Sequence, residues 1–80
     1  MKIKLLLFAQ FREILGEEKE MDIRYGETAG DVLKRVFEHP ELKELKALSV
    51  RCAVNEDFCG LGHVLHDRDT LAIIPPVAGG

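Results

Sequence analysis

The sequence predicts an α+β domain in which one mixed sheet packs on one main helix. Three observations lead there. Residues 2–9 and 19–25 alternate apolar with polar side chains, Val32, Leu33, Val36 and Phe37 then repeat at helical spacing, and two further short apolar runs follow at 50–54 and 71–74. A period of two marks a strand and an i, i+4 stripe marks a helix lying on something apolar. At 80 residues, 46% hydrophobic and 31% charged, the chain has the composition of one globular unit with one core.

Taken in order, Ile3, Leu5 and Leu7 share one face of the first strand. Lys2 and Lys4 begin the other face, which Leu6 and Phe8 then turn apolar. Such a strand is covered on both sides towards its end, by core or by a partner. Phe11, Ile14 and Leu15 suit a short helix over 10–15 with Gly16 just past its end. In 19–25, Met21, Ile23 and Tyr25 alternate with Glu20, Asp22 and Arg24, a second strand that Gly26 breaks. Thr28 and Asp31 have capping-box spacing at the head of the main helix, and Pro40 ends it.

Leu42, Leu45 and Leu48 sit three apart among charges and suggest a second short helix over the sheet's edge. Val50–Val54 closes on the turn-former Asn55, a glycine-broken stretch follows at Gly60 and Gly62, and the turn LHDRD leads into the last strand, 71–74. Strand, strand, helix, strand, strand with right-handed crossovers places the first and last strands parallel at the centre of the sheet. That is the β-grasp arrangement, over residues 1–74.

Residues 75–80 read PPVAGG and form a separate tail. Pro75 and Pro76 have no amide hydrogen, so strand pairing stops there and the backbone is biased to an extended, semi-rigid form. The reach from Pro75 to Gly80 is about 20 Å at about 3.3 Å per residue, enough to enter another protein. A frayed end is one reading of such a terminus. The other makes the end reactive: Gly79 and Gly80, without side chains, pass through a channel closed to other residues. The Gly80 carboxylate, once adenylated, would accept a sulfur or amine nucleophile.

Composition excludes some roles. Eleven Lys and Arg against fourteen Asp and Glu leave a net charge of −3 with no basic stripe, which disfavours nucleic acid. The apolar run Leu5–Ala9 is too short for a targeting segment, which points to the cytosol with no membrane contact. No phosphate-binding GxxxxGK[ST] loop is present, so ATP would be used by a separate activating enzyme and no cofactor would be held permanently. Cys52 and Cys59 fit small buried hydrophobes in a reducing compartment, with a disulfide between neighbouring strands as the competing reading. Their spacing from His63 and His66 matches no standard zinc pattern. Asp67 and Asp69 flank Arg68 in a turn, where short acids bond backbone.

FAQFREILG at Phe8–Gly16, AVN at Ala53–Asn55, the L-x-D-x-D turn at Leu65–Asp69 and the closing PPVAGG, in that order along the whole chain, resemble the small-subunit family of molybdopterin synthase, ubiquitin-like sulfur carriers. Arg68 departs from that pattern, which usually has glycine there. The resemblance implies that an adenylyltransferase of the ubiquitin-activating type adenylates Gly80, that a sulfur donor protein supplies a thiocarboxylate, and that the tail enters the large subunit. There the sulfur passes to a cyclic pyranopterin precursor. Gly79 would give access and Pro75, Pro76, Val77 and Ala78 would position the tail. Phe8, Ile74 and Val77 are expected to form an apolar patch covered by the partner, with burial of Phe8 and Ile74 in the core as the competing reading. A modifier joined through Gly80 to lysines, a carrier serving thiamine or tRNA, and a plain β-grasp interaction module are the remaining alternatives.

Overall fold

The computed structural model describes residues 1–47 and 50–75. Its elements are β1 (Lys2–Leu7), α1 (Ala9–Leu15), β2 (Glu18–Asp22), α2 (Ala29–Phe37), a 3-10 helix (Pro40–Ala47), β3 (Arg51–Val54), β4 (Asp57–Cys59) and β5 (Thr70–Ile74). The sheet order is β2-β1-β5-β3-β4. β1 runs parallel to β5 at the centre, as expected from the crossover rule, and the other pairs are antiparallel.

One face of the sheet meets the helices. Ile3, Leu5 and Leu7 of β1, Leu71 and Ile73 of β5, and Cys52 and Val54 of β3 are buried with Val32, Leu33, Val36 and Phe37 of α2. Phe11 of α1 is fully buried and meets Phe37 edge to face, ring centres 5.9 Å apart. The α2 N-terminus is fixed by the reciprocal bonds its sequence foretold. The Asp31 amide donates to Thr28 Oγ1 at 3.2 Å and the Thr28 amide to Asp31 Oδ2 at 3.0 Å. The hydrogen bond from the Thr28 backbone, and then that from its side chain, hold the Asp31 carboxyl below its usual value. Gly30 lies where a Cβ would stand 3.0 Å from the Leu61 carbonyl oxygen, which its own amide bonds at 2.8 Å. A side chain at Gly30 would push the 60–64 loop off the helix.

Four expectations need correction. β1 ends at Leu7, because Phe8 becomes the extended N-cap of α1 and Ala9 turns the chain with φ of 49°. β2 spans Glu18–Asp22 where 19–25 was expected: its register begins Lys2 opposite Asp22, Ile23 exchanges backbone bonds with Met1, and the chain then turns at Tyr25 and Gly26. Tyr25 thus lies in a turn, 95% exposed. The 3-10 helix packs on α1 and α2, with Leu42 fully buried, where it was expected over the sheet's edge; Leu48 and the Leu45 side chain lie outside what is described. β4 was not anticipated. It follows a two-residue turn in which Asn55 and Glu56 both have positive φ, 49° and 75°, the twist that hairpins favour.

Arg68 does occupy the left-handed region, at φ 69°. Its neighbours hold it there: its amide bonds the Lys2 carbonyl at 2.7 Å, and Asp67 Oδ1 accepts the Lys2 amide at 2.8 Å. The side chain is exposed, so glycine at this position loses no packing. A left-handed non-glycine residue costs about 1–2 kcal/mol and the extra flexibility of an unfolded glycine about 0.5–1 kcal/mol. Arg68→Gly should therefore stabilise the fold by about 0.5–1 kcal/mol, a Tm rise of about 4 °C in thermal unfolding.

Candidate functional site

The outer face of the sheet, away from the helices, is built by the alternate residues of the same strands. Register places Leu6 beside Ala72, Ala72 beside Ala53 and Ala53 beside Phe58. Because Ala53 and Ala72 are small, the centre of this face is a shallow groove of about 460 Å³ lined by Leu6, Phe8, Ala53, Ala72 and Ile74, with Asn55, Glu56 and Thr70 at one end. Phe8 is 44% exposed and Ile74 half-buried. Leu7 pairs with Ile73, so Phe8 and Ile74 come next on the neighbouring strands, and both line the groove. Phe8 is thus at the surface and not in the core.

The face divides by chemistry. Towards β2 it carries a ladder of ion pairs, Lys2 with Glu20 at 4.0 Å and Lys4 with Glu18 at 3.9 Å. Towards β4 it carries Phe58, 59% exposed, with the Arg51 guanidinium 3.9 Å over its ring centre. Arg51 stands opposite Ile74. Neither Arg51 nor Phe58 was singled out from the sequence. The alternation over 51–54 could have placed Arg51 outward, but Phe58 could be assigned only once β4 was paired.

Ile74 is the last residue of β5, and Pro75, which follows it, is buried. The described part of the chain therefore closes beside the apolar groove. Pro76, Val77, Ala78, Gly79 and Gly80 lie outside the described residues.

The other sequence candidates fall elsewhere. Cys52 and Cys59 face each other across β3 and β4, and both are free thiols. Burial pushes both thiols up from their usual pKa, Cys52 with a further contribution from Cys59. Cys59, His63 and His66 line one cavity of about 320 Å³ with Asp57 and Asp69, yet among the described residues no three such groups come close enough to hold a metal ion. Asp69 instead ties three segments together. It accepts the His66 amide at 2.8 Å and the Asn55 side-chain amide at 3.0 Å, while Asn55 Oδ1 accepts the Thr70 amide at 2.9 Å. Asn55 of the AVN motif and Asp69 of the L-x-D-x-D turn thus fasten the β3–β4 hairpin to the start of β5, while Asp67 of that turn accepts the Lys2 amide of β1. No helix among the described residues is long and apolar enough to cross a membrane.

Comparison with known proteins agrees over the full length. The molybdopterin synthase sulfur carrier subunit of Arabidopsis thaliana is 37% identical over 81 residues, covering 99% of this chain and 83% of that protein. The subunit of the same name from Mycobacterium tuberculosis is 33% identical over 82 residues, covering 99% and 98%. Among solved structures, SAMP1 from Haloferax volcanii superposes with a TM-score of 0.81 at 25% identity, covering all of both chains. A chain of the complex of subunits 1 and 2 of the molybdopterin-converting factor from Helicobacter pylori superposes with a TM-score of 0.72 at 23% identity, also covering all of both chains, and shares the fold. Residues 5–80 match the ThiS family, to which this ubiquitin-like β-grasp chain belongs.

Proposed function

We propose that this chain is the sulfur carrier of a molybdopterin synthase, working in the cytosol. The observation that carries the reading is full-length identity of 31–37% to sulfur carrier subunits of that enzyme. The outer face supports it: an exposed apolar groove opens beside the residue from which the tail departs. A protein that must deliver its own C-terminus into another needs such a seat beside the tail's root.

In this reading an adenylyltransferase of the ubiquitin-activating type joins the Gly80 carboxylate to AMP at the expense of ATP, releasing pyrophosphate. A sulfur donor protein then supplies the nucleophile that displaces AMP, leaving a Gly80 thiocarboxylate. The large subunit covers Phe8, Ile74 and the groove between them. Pro75, Pro76, Val77 and Ala78 direct the tail into that subunit's active site, Gly79 passes its narrowest part, and sulfur moves from Gly80 to a cyclic pyranopterin precursor. The Gly80 sulfur first joins the precursor as a thioester, and water then cleaves its C–S bond, so the sulfur stays on the precursor and the carrier leaves as a carboxylate, ready to be charged again.

Intact mass spectrometry tests this after incubation with ATP, the adenylating enzyme and a sulfur source. The expected result is a mass gain equal to one oxygen replaced by one sulfur, localised to Gly80. Lysine-linked remnants ending in Gly79-Gly80 on other proteins, with no thiocarboxylate, would instead assign the chain to the modifiers.

A further inference from the structure

The outer face carries one polar feature that the carrier reading leaves unused. Lys2 and Lys4 are each paired with a glutamate on β2. Arg51 is on the same face and, among the described residues, has no carboxylate within ion-pair distance. Its guanidinium carbon lies over the Phe58 ring, 3.9 Å from the ring centre. Stacking occupies a planar face of the group and leaves the N–H donors around its edge open, in a fork that matches a carboxylate. It also restrains a long side chain before any partner arrives, which lowers the ordering cost of using it.

We propose that Arg51 is the polar anchor of the docking face and receives an aspartate or glutamate side chain of the large subunit. The inference rests on the reading of that face as the large subunit's seat. Its position makes it decisive there. Arg51 is paired with Ile74, the last strand residue before the tail, so an acid held by Arg51 fixes the partner relative to the tail's root. A subunit that covers Leu6, Phe8 and Ile74 also covers part of the Arg51–Phe58 pair. A guanidinium taken out of water without an acceptor is costly, so the covering surface has to supply one. With a net charge of −3 the chain offers acidic partners no general attraction, and recognition of a carboxylate must come from this local contact.

The test is calorimetric titration of the uncharged full chain with the isolated cognate large subunit, without nucleotide, at low and high salt. Arg51→Ala should weaken binding about 30-fold and Arg51→Lys, which keeps charge but not the fork, about 5-fold. Arg51→Glu should abolish measurable binding. The salt dependence of the parent should shrink in Arg51→Ala. Phe8→Asp is the control for the seat itself, and circular dichroism with a Tm confirms folding of each variant; Arg51→Gln replaces Arg51→Glu if the latter does not fold. If Arg51→Glu and Arg51→Ala bind like the parent while Phe8→Asp does not, the anchor is refuted and the seat stands. If all three bind like the parent, the seat itself is wrong and the anchor falls with it. Normal large-subunit binding by Arg51→Ala with a raised KM for adenylation would likewise overturn the proposal, assigning Arg51 to the activating enzyme.

Discussion

A chain lacking Gly80 will fold, bind the large subunit and yet deliver no sulfur. The fold is indifferent to that residue because the described core runs from Ile3 to Ile73 and is closed by α2 and the 3-10 helix. Thermal unfolding should therefore superimpose on the parent's. Binding should survive as well, since the apolar groove and the Arg51–Phe58 pair both precede the tail. In the proposed mechanism, what disappears is the carboxylate that is adenylated, at its working distance from Pro75. Removal of one residue retracts the chain end by about 3.3 Å, and a misplacement of about 1 Å already costs about a hundredfold in rate. Sulfur incorporation should fall to background, read as absence of the sulfur-for-oxygen mass gain and of molybdopterin. Phe8→Asp should show the opposite division. Its Gly80 remains chemically competent, so slow charging at high enzyme concentration persists, but the charged carrier no longer seats on the large subunit. Loss of both properties in either variant would mean that docking and chemistry are not separable in this chain.

The sequence reveals those parts of the fold whose signal lies within a single element. Ile3, Leu5 and Leu7 show their shared face by alternation alone, and Thr28 with Asp31 marks the start of α2 because a capping box is a contact between residues three apart. Where the signal depends on a second element, it fails. β4 is three residues long, Asp57–Cys59, and exists because Asn55 and Glu56 fold it back on β3. Its residues show no alternation of their own. The end of β2 is set by the turn at Tyr25 and Gly26, which follows the last backbone bonds to the first strand, those between Met1 and Ile23. Whether Phe8 is core or surface depends on whether a layer lies over the outer face, a tertiary fact that no local pattern contains. The Arg51–Phe58 pair is hidden for the same reason: a diagonal contact between β3 and β4 requires the register to be known. PPVAGG is read from residue chemistry alone, from two prolines that stop strand pairing and two glycines without side chains, and it lies almost wholly outside the described residues.

The β3–β4 hairpin that carries the far rim of the proposed docking face is clamped by Asp69, and Asp69→Asn should show how strongly. The Asp69 side chain is 13% exposed and accepts two hydrogen bonds, from the His66 amide and from the Asn55 side chain. Asparagine has the same shape but must point an NH2 at one of those two donors. An unsatisfied, largely buried donor costs about 2 kcal/mol, so Tm should fall by about 8–16 °C. Asn55→Ala removes the other half of the clamp and also the bond to the Thr70 amide. Because the two residues touch, the double variant should be less damaged than the sum of the singles. The pH dependence gives an independent reading. Burial by itself would raise the Asp69 carboxyl, but the hydrogen bonds from His66 and Asn55, with positive charge on His66 and His63, hold it below its ordinary value of 3.8. A folded-state value below the unfolded one means that this stabilisation is fully present above pH 3.8 and is lost as pH falls through the lower, folded value. The parent should thus lose stability across that acid window, and Asp69→Asn, already without the charge, should show a flatter profile there. Asp31, whose carboxyl is lowered by its hydrogen bonds to Thr28, titrates in the same direction and remains in both proteins. Only the difference between the two curves belongs to the clamp. A loosened hairpin also moves Arg51 and Phe58 relative to Ile74, so Asp69→Asn should weaken large-subunit binding even though Asp69 does not line the apolar groove. That links the L-x-D-x-D turn to docking through the sheet register.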